Sequence, residues 1–310
     1  MKVLFVVSSN KGIDPISRRQ GDSLKEKGVN VIYYNVIGKG TIGYLKNVLP
    51  LRKYIKEEKP DVIHAHYYLC GILATFTLTK AHVIVSLMGS DVLSANSLVL
   101  TLIRIFSKYF WRHTIAKSEE IKKKLAVRNS TIIPNGVNLH FFKPIDKKLS
   151  QKQIGWNSDC FHILFASSPD RPEKNFALAN ESFINLKLAE PNVNMHFLEN
   201  VGEEKIVHFF NAADLLLLTS FYEGSPNVIK EAMACNCPIV TTNVGDIQEV
   251  TKGTANVIIV PYNSEKISGA MSVILKESKR SNGREFIKPL SSDLIAERII
   301  EIYKEVIKIN

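Results

Sequence analysis

Leu215-Leu216-Leu217-Leu218-Thr219-Ser220-Phe221-Tyr222-Glu223-Gly224-Ser225-Pro226-Asn227-Val228-Ile229-Lys230-Glu231-Ala232 is the stretch on which the reading of this chain turns. The four leucines make a continuous apolar run, the pattern of a parallel strand buried on both faces. Gly224-Ser225-Pro226 then breaks the run, and a helix is predicted over 227–234. Pro226 suits its first turn, because proline has no N–H to leave orphaned there. Glu223 therefore falls in the loop at the carboxyl end of the strand. Glu231 falls between one and two turns along the helix. Backbone N–H groups of the turn and the helix start are expected near both, forming an anion site with one carboxylate at its lip and another along its wall. A sugar nucleotide needs that combination: amides for the diphosphate, carboxylates for vicinal hydroxyls.

The same alternation extends outward in both directions. Strands are predicted at 2–7, 29–36, 62–65, 82–87, 114–116 and 131–133, with helices at 16–27, 44–58, 70–79, 97–111 and 119–126. The pattern restarts with strands at 161–166, 193–198, 215–219, 238–242 and 257–260, and helices at 176–188, 203–211, 227–234, 246–249 and 264–275. A long amphipathic helix at 293–307 closes the chain. Between the halves lie Pro134-Asn135-Gly136, Phe142-Lys143-Pro144 and a polar, lysine-rich run to Gln153, which reads as a linker. The fold class is α/β, with two Rossmann-like doubly wound domains facing across a cleft, residues 1–145 and 146–310. The last helix is free to pack back on the first domain.

Composition bounds the function. At 310 residues the chain accommodates two domains. No apolar stretch reaches the roughly 18 residues of a spanning helix, and residues 1–7 read as a first strand, not a signal peptide. Cys70, Cys160, Cys235 and Cys237 form no CxxC pair, as expected of reduced thiols in a cytosolic protein. Residues 1–150 hold 24 Lys/Arg against 10 Asp/Glu, a net of +14, whereas 151–310 hold 16 against 20, a net of −4. The basic half points first to an anionic membrane surface, on the inner face of the plasma membrane, or to an acidic substrate. A solvated lysine-rich face is the alternative. No recognition motif or stacking platform points to nucleic acid.

Other motifs are weaker. Gly38-Lys39-Gly40-Thr41-Ile42-Gly43 fits GxGxxG, but it follows the second strand and lacks the acidic residue of a dinucleotide fingerprint, so it reads as a flexible loop. No Asp-x-Asp occurs. Metal-dependent sugar transferases commonly carry one, so no metal and no cofactor are expected, and protein cations are expected to hold the phosphates. Lys174, and with less weight Arg171, in Arg171-Pro172-Glu173-Lys174-Asn175, suit that task. His64 and His66 flank Ala65 and face the same way, as cleft-lining or buried histidines. Asp91 after Gly89 either caps the next helix or contacts a ligand. The helices at 97–111 and 44–58 each carry basic and apolar residues, fitting either a membrane surface or a core helix with a basic outer face.

With these residues in place, the chain resembles the retaining glycosyltransferases of family 4, which have the GT-B fold. The likeness runs nearly end to end, through Asp61-Val62-Ile63-His64-Ala65-His66, Ser86-Leu87-Met88-Gly89-Ser90-Asp91, Ile133-Pro134-Asn135-Gly136, Arg171–Asn175, the two glutamates, and Cys237-Pro238-Ile239-Val240-Thr241-Thr242-Asn243-Val244-Gly245-Asp246. The carboxylate pair with seven residues between is its most specific element. The resemblance implies that Glu231 holds ribose hydroxyls and Glu223 the donor sugar. It also implies that the diphosphate is bound by Lys174, Arg171 and the backbone around Gly224, Ser225, Pro226, Asn227 and Val228. Asn200 and Val201 would lie by the base, and Gly12, His66, Gly89, Asp91 and Asn135 on the acceptor side. The activity implied is transfer of a sugar, from UDP as the family-level donor, to a glycan or lipid-linked acceptor in cell-surface polysaccharide synthesis, with retention. Three departures stand out: Pro169 where the family often has an arginine, Met88 where it often has a histidine, and a second domain short of one strand–helix unit before Val193. A sugar-nucleotide epimerase using His64 or His66 is the alternative on the same scaffold, and a nicotinamide oxidoreductase the remoter one.

Overall fold

The computed structural model describes residues 1–308 except Lys11, Lys39 and Asn200. The chain forms two compact units, residues 1–136 with the segment from Ser292 onward, and Val137–Ser291.

The first unit is a six-stranded sheet of β1 (Lys2–Ser8), β2 (Asn30–Val36), β3 (Val62–His66), β4 (His82–Leu87), β5 (His113–Ala116) and β6 (Ser130–Ile132). Its order is β2-β1-β3-β4-β5-β6, and the pairings are parallel. Residues 3–7 of β1 are wholly buried, as a central strand covered on both faces requires. The connecting helices are α1 (Pro15–Glu26), α2 (Gly40–Lys46), α3 (Val48–Glu58), α4 (Tyr68–Phe76), α5 (Ser90–Leu93), α6 (Ser97–Tyr109) and α7 (Glu119–Leu125). The second unit is a five-stranded parallel sheet in the order β11-β10-β9-β7-β8. Its strands are β7 (Phe161–Phe165), β8 (Val193–Phe197), β9 (Leu215–Leu218), β10 (Ile239–Thr242) and β11 (Val257–Val260). They alternate with α8 (Lys147–Ile154), α9 (Phe176–Ala189), α10 (Ile206–Ala212), α11 (Asn227–Ala234), α12 (Ile247–Val250), α13 (Ser264–Glu277) and α14 (Gly283–Ile287). The leucine run divides by parity: Leu216 and Leu218 pack with Phe210 and Met233, Leu215 and Leu217 with Ala179 and Met271. Each neighbouring layer of helices thus takes one face of the same strand.

The closing helix, α15 (Ser292–Lys308), belongs to the first unit. It packs on α1, pairs Glu297 with Lys27 at 2.5 Å, and sends Arg298 to the Ile132 carbonyl at 2.6 Å. None of the described helices is long and apolar enough to cross a membrane.

The sequence reading differs from the structure in several places. The unit boundary lies at Gly136/Val137 instead of after 145, because Val137 bridges to Ser291 and Phe142 is buried in the second core. The lysine-rich linker is largely helix. Asp146 caps α8 through the Leu149 N–H at 2.8 Å, Ser150 and Gln151 are buried, and Lys147 pairs with Asp214 at 2.5 Å. The expected helix at 44–58 is two helices, since Pro50 has no N–H to give the Lys46 carbonyl and its ring crowds that turn. The glycine-rich segment opens α2 instead of looping freely. A Cβ on Gly38 would stand 2.8 Å from the Gly43 Cα, so the two glycines permit close backbone packing. Pro226 precedes α11 with extended backbone, and the helix starts at Asn227.

Candidate functional site

The loop after β9 is tied down from several sides. The Phe221 N–H donates to the Glu173 carbonyl at 2.9 Å, and the Thr219 hydroxyl to the Lys174 and Asn175 carbonyls, each at 3.0 Å. Tyr262 donates its hydroxyl to the Ser220 carbonyl at 2.7 Å. Gly245, at φ +60°, lies flat against the turn, where a Cβ would stand 2.8 Å from the carbonyl oxygens of both Glu223 and Gly224. These ties bring the 3₁₀ turn Pro172–Lys174 beside Glu223. Lys174 Nζ donates to Glu223 Oε1 at 2.5 Å, and Ser220 Oγ donates to the same oxygen at 2.8 Å. The two charged side chains are only 10% and 16% exposed, so solvent screens the pair little.

Beyond the turn, α11 begins with no side-chain cap of its own. Ser225, a natural capping residue, instead donates its hydroxyl to Asp246 Oδ2 at 2.5 Å. Neither Pro226 nor Ser225 thus caps the first N–H groups of the helix, as an anion-binding terminus requires. Glu231 lies just past one turn along, buried in the wall of this region. Its neighbour Lys230 is fully buried, with Nζ 3.5 Å from the Ser225 carbonyl. Burial pulls the Lys230 ammonium down to about 8, against the opposing pull of Asp246 and Glu231. Burial likewise pushes the Asp246 carboxyl up, with Lys230 opposing. Asp246 Oδ1, Asn227 Oδ1 and Ser167 Oγ are buried with no hydrogen-bond partner among the described residues. Such atoms are few in folded proteins and mark places where a ligand or water supplies the partner.

Lys174, Glu223, Ser225 and Glu231 are thus gathered at the carboxyl ends of β7, β9 and β10, with Gly224 in the turn between and Asn227 and Val228 opening α11. Arg171 is turned outward, bonded through Nε to Glu173 at 2.8 Å and more than half exposed. Val201 is half-buried, and Asn200 lies outside the described residues. The sequence alone assigns no role to Lys230, Asp246 or Tyr262. Lys230 carries a signal, a lysine beside Glu231 among the apolar Val228, Ile229, Ala232 and Met233, whereas Tyr262 is distant in sequence and has none.

In the first unit Gly12, His66, Gly89, Asp91 and Asn135 all follow or end strands at the carboxyl edge of the sheet. Asp91 is buried and accepts the Gly89 N–H at 2.9 Å, which closes its own turn. Burial raises its carboxyl to about 6. His64 is held between Tyr303 (2.6 Å) and Ser86 (2.8 Å). His66 stacks on His64 and lies tilted against Phe5, each with ring centres 4.5 Å apart, and burial followed by Lys117 pulls it down to about 3. Both rings are therefore neutral and buried, a poor setting for the acid–base chemistry of an epimerase. Among the described residues no three His, Cys, Asp or Glu side chains stand close enough to hold a metal ion.

Comparison with known proteins bears on the family and the fold. Residues 10–141 match the model of glycosyltransferase family 4, and residues 179–288 that of the glycosyl transferases group 1. An uncharacterised glycosyltransferase of Methanocaldococcus jannaschii is 26% identical over 85% of this chain and 81% of its own. The UDP-Gal:alpha-D-GlcNAc-diphosphoundecaprenol alpha-1,3-galactosyltransferase of Escherichia coli is 24% identical over 80% of this chain and 74% of its own. Among solved structures, sucrose-phosphate synthase from Thermosynechococcus elongatus superposes with a TM-score of 0.80 over the full length of both chains at 17% identity, a likeness of fold.

Proposed function

The chain belongs to the family 4 glycosyltransferases, and from that premise we propose that it moves a hexose from a UDP-sugar to a lipid-linked or glycan acceptor, with retention and without a metal. The observation that carries this reading is the Lys174–Glu223 pair, held at 2.5 Å beside the uncapped start of α11 with Glu231 one turn along it. In this reading the diphosphate sits on the N–H groups of Gly224, Asn227 and Val228. Lys174 turns from Glu223 toward the β-phosphate as charge develops there. Preorganised donors of this kind lower the barrier most, each being worth on the order of 3 kcal/mol, about a hundredfold in rate.

Glu231 accepts the ribose hydroxyls, and Glu223, with one oxygen already held by Ser220, orients the sugar and stabilises positive charge at the anomeric carbon. The acceptor hydroxyl attacks from the face the phosphate leaves, the C–O bond to the phosphate breaks as the new one forms, and the departing phosphate oxygen takes the hydroxyl proton. Arg171, engaged with Glu173 at the surface, joins only if it exchanges that partner for phosphate. The E. coli relative, whose name gives a UDP-galactose donor and a diphosphoundecaprenol-linked acceptor, supports this choice of substrate classes.

Thermal melting against a panel of sugar nucleotides tests the proposal. A donor at a hundred times its Kd adds about 2.7 kcal/mol of stability, so one UDP-sugar is expected to raise Tm by several degrees. A panel with no stabilising member would refute it.

A further inference from the structure

The first unit carries a second distinctive surface at the edge where its strands begin, opposite the carboxyl edge just described. Residues 59–61 lead into β3, 77–81 into β4 and 110–112 into β5. Arg52, Lys56, Lys59, Leu78 and Lys80 line a groove of about 400 Å³ there. None of these four cations has a carboxylate partner among the described residues. The acids nearby are engaged elsewhere: Glu58 and Asp61 with Lys2, Glu57 with Lys53. Thr79 and Ala81 border a second groove, about 330 Å³, lined also by Lys108, Tyr109, Phe110 and Arg112.

Large apolar side chains stand out between the cations. Leu78 is 77% exposed, Tyr109 67%, Phe110 55% and Phe76 53%. Phe76 and Phe110 rest against Phe106, with ring centres at 6.1 and 5.0 Å, so these tips are held in place. Phe76 also ends an apolar groove of about 260 Å³ between α2 and α4.

We propose that this edge docks on an anionic bilayer. The apolar tips at 76, 78, 109 and 110 enter the boundary between headgroups and acyl chains, and the surrounding lysines and arginines take the lipid phosphates. Charge complementarity favours this occupant: Arg52, Lys56, Lys59 and Lys80, without carboxylate partners among the described residues, beside protruding aliphatic and aromatic tips match a layer that is anionic outside and apolar just beneath. Nucleic acid would use the cations but has no counterpart for Leu78. The inference goes beyond the transfer reaction and involves none of its residues.

Sedimentation of the whole chain with phosphatidylglycerol vesicles, and separately with phosphatidylcholine vesicles, tests it without any donor or acceptor, so its failure and that of the transferase reading are distinguishable. Binding is expected to phosphatidylglycerol alone and to weaken with added salt. The triple variant Lys56→Gln, Lys59→Gln, Lys80→Gln should lower the partition on the order of a hundredfold, since each lysine near such a surface contributes about fivefold. Leu78→Ser with Phe110→Ser should lower it at low and high salt alike. Thermal melting of each variant checks that it folds. Equal binding to both vesicle types, no binding to either, or an unchanged partition for the lysine variant overturns the proposal. So does capture of duplex RNA, lost in the lysine variant, by a protein that ignores vesicles.

Discussion

Lys174 and Lys230 show how burial assigns different work to two lysines of one site. Lys174 is bonded to Glu223 in a small, nearly dry space, so removing one partner leaves the other charge unneutralised. Glu223→Ala is expected to lower stability by about 3 kcal/mol, measurable by urea denaturation, and Glu223→Gln by less, since it keeps an oxygen for Lys174. Lys230 is held below its ordinary value by burial. Its charged form is disfavoured in the fold, so below pH 8 both states carry the proton and the full penalty stands. As pH rises through about 8 the folded protein releases that proton before the unfolded chain does, and stability increases. Tm of the wild type relative to Lys230→Met should therefore rise between pH 8 and 9. The thiols of Cys70 and Cys237, pushed up to about 12 and about 11 by burial, act in the opposite direction in both proteins and cancel in the difference. A flat difference across the window would contradict the buried placement of Lys230.

The turn between β9 and α11 depends on a glycine that is distant in sequence. Gly245 combines a left-handed φ with contact against two carbonyls of the turn, so Gly245→Ala adds strain and pushes Glu223 and Gly224 out of place. The expected result is a loss of donor affinity of about tenfold or more with a folded second unit, read from calorimetry and circular dichroism. The sequence showed why this element should exist: four leucines, a Gly-Ser-Pro break and two glutamates eight positions apart define the strand, loop and helix. It also placed Glu223 in the loop and Glu231 past the first turn, because strand length and helix rise fix both. It did not show that Ser225 turns to Asp246 or that Lys230 is buried beside it, since both depend on how β10 lies next to β9. The lysine-rich run before Gln153 misled because its polar residues suggest a linker, whereas α8 buries only one face and is held by Asp146 and Asp214.

At the scale of the whole molecule, strands alternating with helices made the two doubly wound sheets legible, but not the place of the last helix. α15 completes the first unit by placing the Tyr303 hydroxyl 2.6 Å from His64 Nδ1 inside the core, a contact spanning most of the chain. Tyr303→Phe is expected to cost about 1–3 kcal/mol, the penalty for a buried nitrogen left without its partner, read as a lower Tm at pH 7. The proposed donor site lies in the second unit, and that proposal rests on α11 and the turn before it taking a diphosphate. The most direct measurement is calorimetric titration of UDP into the wild type, Lys174→Met and Glu231→Ala. A single saturable site is predicted, weakened about tenfold or more in each variant, because a hydrogen bond to a charged group contributes roughly 1.5–3 kcal/mol. Absence of UDP binding by the wild type, or affinity unchanged in both variants, would contradict the account.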